Sequence, residues 1–307
     1  MSTHPPGSTD SSAADTATPL AQAFAAITGE RRDDALDWLA RAEARGSRMA
    51  AALRRHLSEA GPTSAYDAHE AFQAFIRGGD NVPLYRAVSR AMTERYGQPP
   101  VQRLLDIGTG DGMALLPALW IAVHKPRRID VVEPQADLRA SLEPGCVAAA
   151  PGCELAVHGT TLQAFVRSLS AADHWDLAQS SFALQSLPPA ERIEALRALR
   201  PHVDTLVLVE FDVPALAHGS DAYFHSIARR YERCLAQYGD EADLIARGFL
   251  APMLAGQLRR DVAPSNWEQP VADWQRELEQ AGYRLREARP LYDYSWSPAW
   301  WLEASTR

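Results

Sequence analysis

The sequence predicts an α/β fold built on a mostly parallel sheet, and three observations support this prediction. A short apolar strand, a glycine-rich turn and a helical pattern follow one another directly in residues 101–120. Further apolar segments of strand length alternate with helical patterns after them. The segment 205–210 is almost continuously apolar, as expected of a central strand that is buried on both faces. Together these features are typical of a nucleotide-binding sheet.

Seven strands are expected, and the last two form a closing hairpin. An N-terminal helical region precedes the sheet, and a helical insertion follows the fifth strand. The expected strands are 101–107, 128–134, 154–158, 176–184, 205–210, 283–291 and 299–304.

Composition divides the chain into three regions. Residues 1–19 are rich in Ser, Thr, Ala and Pro and are expected to be disordered. Residues 20–97 carry only helical periodicity, which predicts a helical cap over the sheet edge where the parallel strands end. Residues 98–307 form the sheet domain, and its insertion 211–270 is too long for a plain loop.

The glycine turn indicates which kind of nucleotide binds. Gly108, Gly110 and Gly112 are spaced G-x-G-x-G, whereas a dinucleotide site requires G-x-G-x-x-G and position 113 is Met. Asp106 lies near the end of the preceding strand, where its carboxylate would repel a pyrophosphate and attract a cation. The glycines allow positive φ and a close approach of ligand to bare backbone, and the N–H groups of the following helix should point at that ligand.

A second acidic residue lies in register with the first. Glu133 ends the second strand, close to the ~20-residue offset expected for a carboxylate that binds ribose hydroxyls. Asp106, Gly108, Gly110 and Glu133 together resemble the cofactor motifs of the class I S-adenosylmethionine-dependent methyltransferases. The resemblance covers residues 101–307 and implies an antiparallel seventh strand. It also implies S-adenosylmethionine as cofactor and S-adenosylhomocysteine as product.

The resemblance also assigns cofactor contacts after strands three and four. Many members carry an aspartate for the adenine amino group where this chain has Thr160, so Thr160 and Thr161 are the candidates here. The loop after strand four usually lies under the sulfonium, which makes Ser180 and Ser181 candidates as well.

Candidate catalytic groups lie where the methyl acceptor is expected. Glu210 and Asp212 follow strand five, and either could take a proton or hold a substrate ammonium. An alternative left open is that Asp212 only caps the following segment. His225 is a candidate base in the insertion, and Tyr85 is an aromatic candidate for the acceptor pocket.

Two classes of methyltransferase are disfavoured. Metal-dependent enzymes need acidic or amide ligands after both strands four and five, whereas Ser180 and Ser181 occupy the first place, so no metal is expected. Nucleic-acid enzymes of the amino-methylating kind carry Asn-Pro-Pro-aromatic, which is replaced here by Ser180-Ser181-Phe182. The formal net charge of −8 agrees, because no basic stretch offers a surface for phosphates.

Cysteine content and hydropathy bear on the cellular compartment. The three cysteines have no metal-like spacing, which favours thiols in a reducing compartment. No stretch reaches the ~20 apolar residues of a membrane span, and residues 1–19 lack the apolar core of a signal peptide. A cytoplasmic protein without membrane or nucleic-acid partners is expected. Whether it forms a homodimer stays open.

The sequence therefore predicts metal-independent methyl transfer to a small metabolite, aromatic and amine- or indole-bearing, in bacterial secondary metabolism. The chain has eight tryptophans and nine tyrosines, and aromatic walls suit a flat or cationic substrate. Two alternatives are a methyltransferase-fold binding or regulatory subunit without activity, and a nicotinamide oxidoreductase, which Asp106 and Met113 disfavour.

Overall fold

The computed structural model describes residues 9–59, 65–259 and 266–306 of the chain. Side chains are described from residue 17 in the first of these ranges and from residue 69 in the second.

The chain forms two compact units. Met1–Val82 and Ala215–Pro264 make up the helical unit, and Pro83–Pro214 and Ser265–Arg307 make up the sheet unit. The helical insertion thus groups with the N-terminal helices, whereas the sequence assigned it to the sheet domain. The cap arrangement stays a prediction.

The sheet unit contains a seven-stranded sheet in the order β3-β2-β1-β4-β5-β7-β6. Strands β1 to β5 pair in parallel, and β7 is antiparallel to both β5 and β6. This confirms the predicted fold class, including the antiparallel last strand. The strands are β1 Arg103–Ile107, β2 Arg128–Val132, β3 Glu154–His158, β4 Trp175–Ser181, β5 Val203–Phe211, β6 Arg284–Tyr292 and β7 Ala299–Ser305.

The helices fall into two groups. Those of the helical unit are α1 Thr9–Thr28, α2 Arg32–Glu43, α3 Arg48–Ser58, α4 Ala65–Arg77, α10 Asp221–Leu235, α11 Ala242–Ile245 and α12 Ala251–Gln257, with a π-helical turn Ala246–Leu250 between the last two. Those that lie wholly or mainly in the sheet unit are α5 Asn81–Tyr96, α6 Leu115–Ile121, α7 Ala136–Ala149, α8 Leu162–Ser168, α9 Pro189–Leu199 and α13 Val271–Gln280.

Alternating side chains of the parallel strands form two apolar cores, one on each face of the sheet. Leu104 of β1 belongs to a core with α5, α6 and α7, whereas its neighbour Leu105 belongs to a core with α8, α9 and α13. Because both faces are covered, the central strands are apolar throughout. The polar residues that remain at their carboxyl ends are therefore the exception that marks a site.

Two helices differ from the sequence-based expectation. Helix α1 begins at Thr9, inside the segment predicted to be disordered, while residues 1–8 lie outside the described residues. Composition misled here because the alanines of this segment are strong helix formers, and from Ala17 onward the helix buries apolar side chains. Helix α8 was not predicted, since seven residues are too few to show helical periodicity.

Candidate active site

The glycine turn after β1 is open to a ligand at one position and closed at another. Gly108 has φ +68°, and a Cβ there would lie 2.2 Å from the Cβ of Ala183, so no larger residue fits. Gly110 has φ +61°, and a Cβ there would meet no atom within 4 Å. Gly108 thus permits packing against the segment after β4, while Gly110 exposes backbone at the sheet edge.

The turn is longer than the sequence suggested. Helix α6 begins at Leu115, and the Met113 backbone N–H donates to the Asp111 carboxylate at 3.3 Å. The helix therefore begins two residues after Met113, where the sequence placed its start. The Leu116 N–H donates to the Gly112 carbonyl at 2.8 Å, so the last glycine of the turn leads directly into α6.

Asp106 is a buried carboxylate at the end of β1. It is 5% exposed, and the Gln179 side-chain amide of β4 donates to it. Burial raises the pKa of Asp106 to about 6, and the nearby negative charge of Glu133 adds to this effect, while the Gln179 hydrogen bond opposes it. A cation beside Asp106 would remove this electrostatic cost.

Glu133 links the second strand to the glycine turn. Its carboxylate oxygens accept from the backbone N–H groups of Gly110, at 3.0 Å, and Gln135, at 2.9 Å. The side chain is 4% exposed. Each carboxylate oxygen can accept a second hydrogen bond, so hydroxyl groups of a ligand could still bind here.

The four hydroxyl candidates differ in their surroundings. Ser180 is fully buried and donates to the Ile107 carbonyl at 3.0 Å, which speaks against direct contact with a ligand. Thr161 accepts from the Ala164 N–H at 3.3 Å as the N-cap of α8. Thr160 and Ser181 are partly exposed at the ends of β3 and β4, and their cofactor role stays a prediction.

The segment that follows β4 carries an unusual backbone conformation. Phe182 has a φ of +54°, in the left-handed region. This backbone conformation is strained for an aromatic residue and persists only where the surrounding structure imposes it. The Phe182 N–H donates to the Val209 carbonyl at 2.8 Å. The chain then forms a 3₁₀ turn at Leu184–Ser186, at the end of the segment 176–184 that the sequence predicted to be the fourth strand and its loop.

A buried ion pair between Arg192 and Glu277 contacts this turn. Arg192 of α9 makes two hydrogen bonds to Glu277 of α13, at 2.6 and 2.8 Å. Its guanidinium also donates to the carbonyls of Leu184, at 3.1 Å, and Leu187, at 3.2 Å. It lies 4.0 Å from the ring centre of Trp274. Sequence reasoning missed this pair because its members are far apart in the chain.

Glu210 holds the same turn from β5. One oxygen accepts from the Leu184 N–H at 3.1 Å, and the other has no hydrogen-bond partner among the described residues. The residue is 1% exposed. Burial raises the pKa of Glu210 to about 8, despite the opposing charge of Arg192 and the backbone hydrogen bonds. Glu210 is therefore mostly protonated at neutral pH.

Aromatic rings line the carboxyl ends of β4 and β5. Phe211 stacks on Phe182, with centroids 4.4 Å apart, and on Tyr294, with centroids 5.3 Å apart. Tyr85 of α5 contacts the Phe182 ring edge-on at 6.0 Å. Burial raises the pKa of Tyr85 to about 12, with a further contribution from Asp111, so its phenol keeps its proton.

The remaining two catalytic candidates have other surroundings. Asp212 accepts from the Val271 N–H at 2.8 Å and so caps the distant helix α13, whereas the alternative for this residue was a cap on the segment that directly follows it. The catalytic role of Asp212 stays a prediction. His225 lies on α10 in the helical unit, and its catalytic role stays a prediction.

Neither a metal-binding cluster nor a membrane-spanning helix is found among the described residues. Within these ranges, no group of three or more His, Cys, Asp or Glu side chains could hold a metal ion. No described helix is long and apolar enough to cross a membrane.

The chain is similar to several solved structures, at low sequence identity. The chain is 10% identical to a magnesium protoporphyrin IX methyltransferase from Synechocystis, solved with bound S-adenosylmethionine, over 83% of this chain and 90% of that one, with a TM-score of 0.46. It is 13% identical to mitomycin 7-O-methyltransferase over 89% and 70%, with a TM-score of 0.49. The chain is 14% identical to the N,N-8-amino-8-demethyl-D-riboflavin dimethyltransferase from Streptomyces davawensis, over 74% of this chain and 55% of that one, with a TM-score of 0.47. No protein-family model and no curated protein sequence matches the chain.

Proposed function

We propose that the protein transfers a methyl group from S-adenosylmethionine to a small molecule. One observation carries the proposal: two buried carboxylates, Asp106 and Glu133, flank a glycine turn whose Gly110 backbone is open to a ligand. A dinucleotide phosphate would be repelled by this arrangement, whereas a ligand with a cationic end and ribose hydroxyls fits it.

The fit to the cofactor rests on charge as well as on space. The raised pKa of Asp106 means that the site without ligand disfavours its own carboxylate charge. An ammonium or sulfonium nearby would favour that charge again and gain a charge-assisted interaction. Glu133 would accept hydrogen bonds from the ribose, as the resemblance implies.

When bound, the cofactor would supply an electrophilic methyl group, so the chain has to orient two reactants and exclude water. The segment 182–187 and the rings of Tyr85 and Phe182 are our candidates for the acceptor site. Tyr85 keeps its proton and would act as a hydrogen-bond donor. Glu210 would ionise when a substrate ammonium lies beside it, because a neighbouring cation lowers a carboxyl pKa.

We extend the proposal to an aromatic, amine- or indole-bearing acceptor that is methylated without a metal. The aromatic surfaces at the ends of β4 and β5 support the first part. Serine hydroxyls in place of carboxylate or amide groups at positions 180 and 181, the first of them fully buried, support the second. A tailoring step in secondary metabolism is the setting we expect from the sequence.

The cofactor part is tested by calorimetry with S-adenosylhomocysteine. The protein should bind it, and Glu133→Ala should weaken binding by roughly 10- to 150-fold, the effect of losing hydrogen bonds to a charged group. The matched control is Glu154→Ala, an exposed glutamate at the other end of a neighbouring strand, which should bind normally. Binding of NADH in place of S-adenosylhomocysteine would contradict the proposal.

The acceptor part is tested with a panel of aromatic amines, phenols and indoles in the presence of EDTA. Glu210→Gln and Asp212→Asn keep an oxygen for the Leu184 and Val271 N–H groups, so the folded segments should persist, while neither side chain can ionise or take a proton. Turnover restricted to carboxylic acids or catechols, or abolished by EDTA, would contradict the assignment. Cofactor binding without turnover of any acceptor would instead favour a binding or regulatory subunit.

A further inference from the structure

Asp106 is the end of a buried hydrogen-bond chain that begins on helix α5. The Tyr96 hydroxyl donates to the Gln179 side-chain oxygen at 3.0 Å, and the Gln179 side-chain nitrogen donates to Asp106. Tyr96 is fully buried and Gln179 is 1% exposed. Asp106 and Gln179 are direct partners in the register of β1 and β4, so their side chains leave the sheet on the same face.

The direction of this chain depends on the charge of Asp106. An ionised carboxylate only accepts hydrogen bonds, so the amide must present its NH₂ group to Asp106 and its oxygen to Tyr96. The buried amide oxygen then needs a donor, and the Tyr96 phenol provides it. Burial raises the pKa of Tyr96 well above its ordinary value, so the phenol keeps the proton that it donates.

We propose that Tyr96 and Gln179 are positioning residues that keep Asp106 ionised and oriented towards the cationic end of the cofactor. The proposal rests on the proposed function, because it assumes that Asp106 faces that ligand. Neither residue touches the reacting atoms, and both act through Asp106.

Of the other titratable groups around Asp106, Glu133 opposes its ionisation and Cys146 is neutral. Glu133, which follows β2, places a second negative charge nearby and raises the pKa of Asp106. Cys146 of α7 is also close, and burial together with the charge of Asp106 raises its thiol pKa to about 12, so it stays neutral. The hydrogen bond from Gln179 thus lowers the pKa of Asp106, whereas burial and the charge of Glu133 raise it.

The experiment measures S-adenosylhomocysteine affinity by calorimetry from pH 5 to pH 7. In the wild-type protein, affinity should fall about tenfold as the pH is lowered from 7 to 5 and Asp106 gains a proton. Tyr96→Phe should move the fall to higher pH and weaken binding at pH 7 by roughly three- to tenfold. Gln179→Met, which removes the direct bond, should weaken it roughly tenfold or more.

Tyr283→Phe is the matched control. Tyr283 is also a buried tyrosine of the sheet unit, and its hydroxyl donates to the Leu196 carbonyl at 3.1 Å. Losing that bond should leave the pH profile unchanged, because a merely structural loss does not alter Asp106. Asp106→Asn should bind weakly and without the pH dependence.

A second measurement is independent of the cofactor. Carbon NMR of selectively labelled aspartate carboxyl groups gives the pKa of Asp106 in the ligand-free protein. It should be higher in Tyr96→Phe and Gln179→Met than in the wild type. Unchanged values in folded variants would overturn the positioning role. Failure of the wild-type protein to bind S-adenosylhomocysteine would instead overturn the proposed function, and with it the orientation towards a cofactor.

Discussion

Individual carboxyl groups in the sheet unit have opposite electrostatic surroundings. Asp130 is buried, yet its pKa is lowered, because hydrogen bonds from Arg128, His158 and Trp175 outweigh the effect of burial. Glu210 accepts a hydrogen bond from the Leu184 N–H at 3.1 Å, and burial raises its pKa to about 8. The hydrogen-bonded charge of Asp130 stabilises the fold. The burial of Glu210 disfavours its ionised form, and a raised pKa of this kind is typical of functional sites.

The raised pKa of Glu210 predicts how the stability of the protein depends on pH. The native state binds one more proton than the unfolded chain between the ordinary glutamate pKa and about 8, so the free energy of unfolding should fall as the pH rises through this window. The slope from this group is at most about 1.4 kcal/mol per pH unit. Glu210→Gln should flatten the dependence, measured by urea unfolding from pH 5 to 8.

Asp130→Asn is the control for this measurement. The folded pKa of Asp130 is lowered, so its contribution to stability is lost only as the pH falls below the ordinary aspartate range. The variant should therefore be less stable but keep the wild-type slope between pH 5 and 8. If Glu210→Gln also keeps that slope, Glu210 is not the group that holds the proton.

At the scale of elements, the turn after β4 depends on contacts from β5, α9 and α13. Glu210 binds its Leu184 N–H, while Arg192, paired with Glu277, binds the carbonyls of Leu184 and Leu187. The backbone N–H of Trp267 donates to the Gln185 carbonyl at 2.7 Å. Together these contacts stabilise the strained backbone conformation of Phe182 after β4 and hold the segment beside the glycine turn.

We predict strong coupling between Arg192 and Glu277. Glu277→Leu alone leaves a fully buried guanidinium without its counter-charge and should cost about 3–5 kcal/mol of stability. Arg192→Met combined with Glu277→Leu should cost much less than the sum of the single changes, because both charges leave together. Denaturant unfolding of the four proteins of this cycle checks the prediction, and additive costs would contradict it.

The strands were predictable because each is a short apolar run bounded by turn residues. The range of β3 matches the prediction, and β1, β2 and β5 differ from it by a few residues at their ends. Asp106, Glu133 and the glycine turn were visible for the same reason, since they sit at strand ends of known spacing. Local sequence could not show the φ of Phe182, which tertiary contacts impose.

Long-range partners were also beyond the sequence. Gln179 lies beside Asp106 only because β1 pairs with β4 in one register, and Arg192 meets Glu277 only because α9 and α13 cover the same face. The contact of Asp212 with the Val271 N–H was likewise not visible in the sequence, because α13 begins far along the chain.

At the scale of the whole molecule, every described residue that we assign to the cofactor belongs to the sheet unit. A ligand that binds only the native state stabilises it by RT ln(1 + [L]/Kd), or about 2.7 kcal/mol at a hundredfold excess over Kd. This free energy should appear in amides that exchange through unfolding of the sheet unit. Amides of α1 to α3 should keep their exchange rates with S-adenosylhomocysteine alone.

Hydrogen exchange with mass spectrometry tests this prediction together with the expectation from the sequence that residues 64–97 and the insertion 211–270 form a lid over the acceptor. Cofactor should slow exchange in β1, β2 and β4, and Asp106→Asn should abolish the change, since the variant keeps the fold but loses the charge that binds. Adding the acceptor should then slow exchange in residues 65–97 and 211–259 if those segments close over it. Protection that stays confined to the strands with both ligands present would contradict the lid and leave the helical unit without a part in binding.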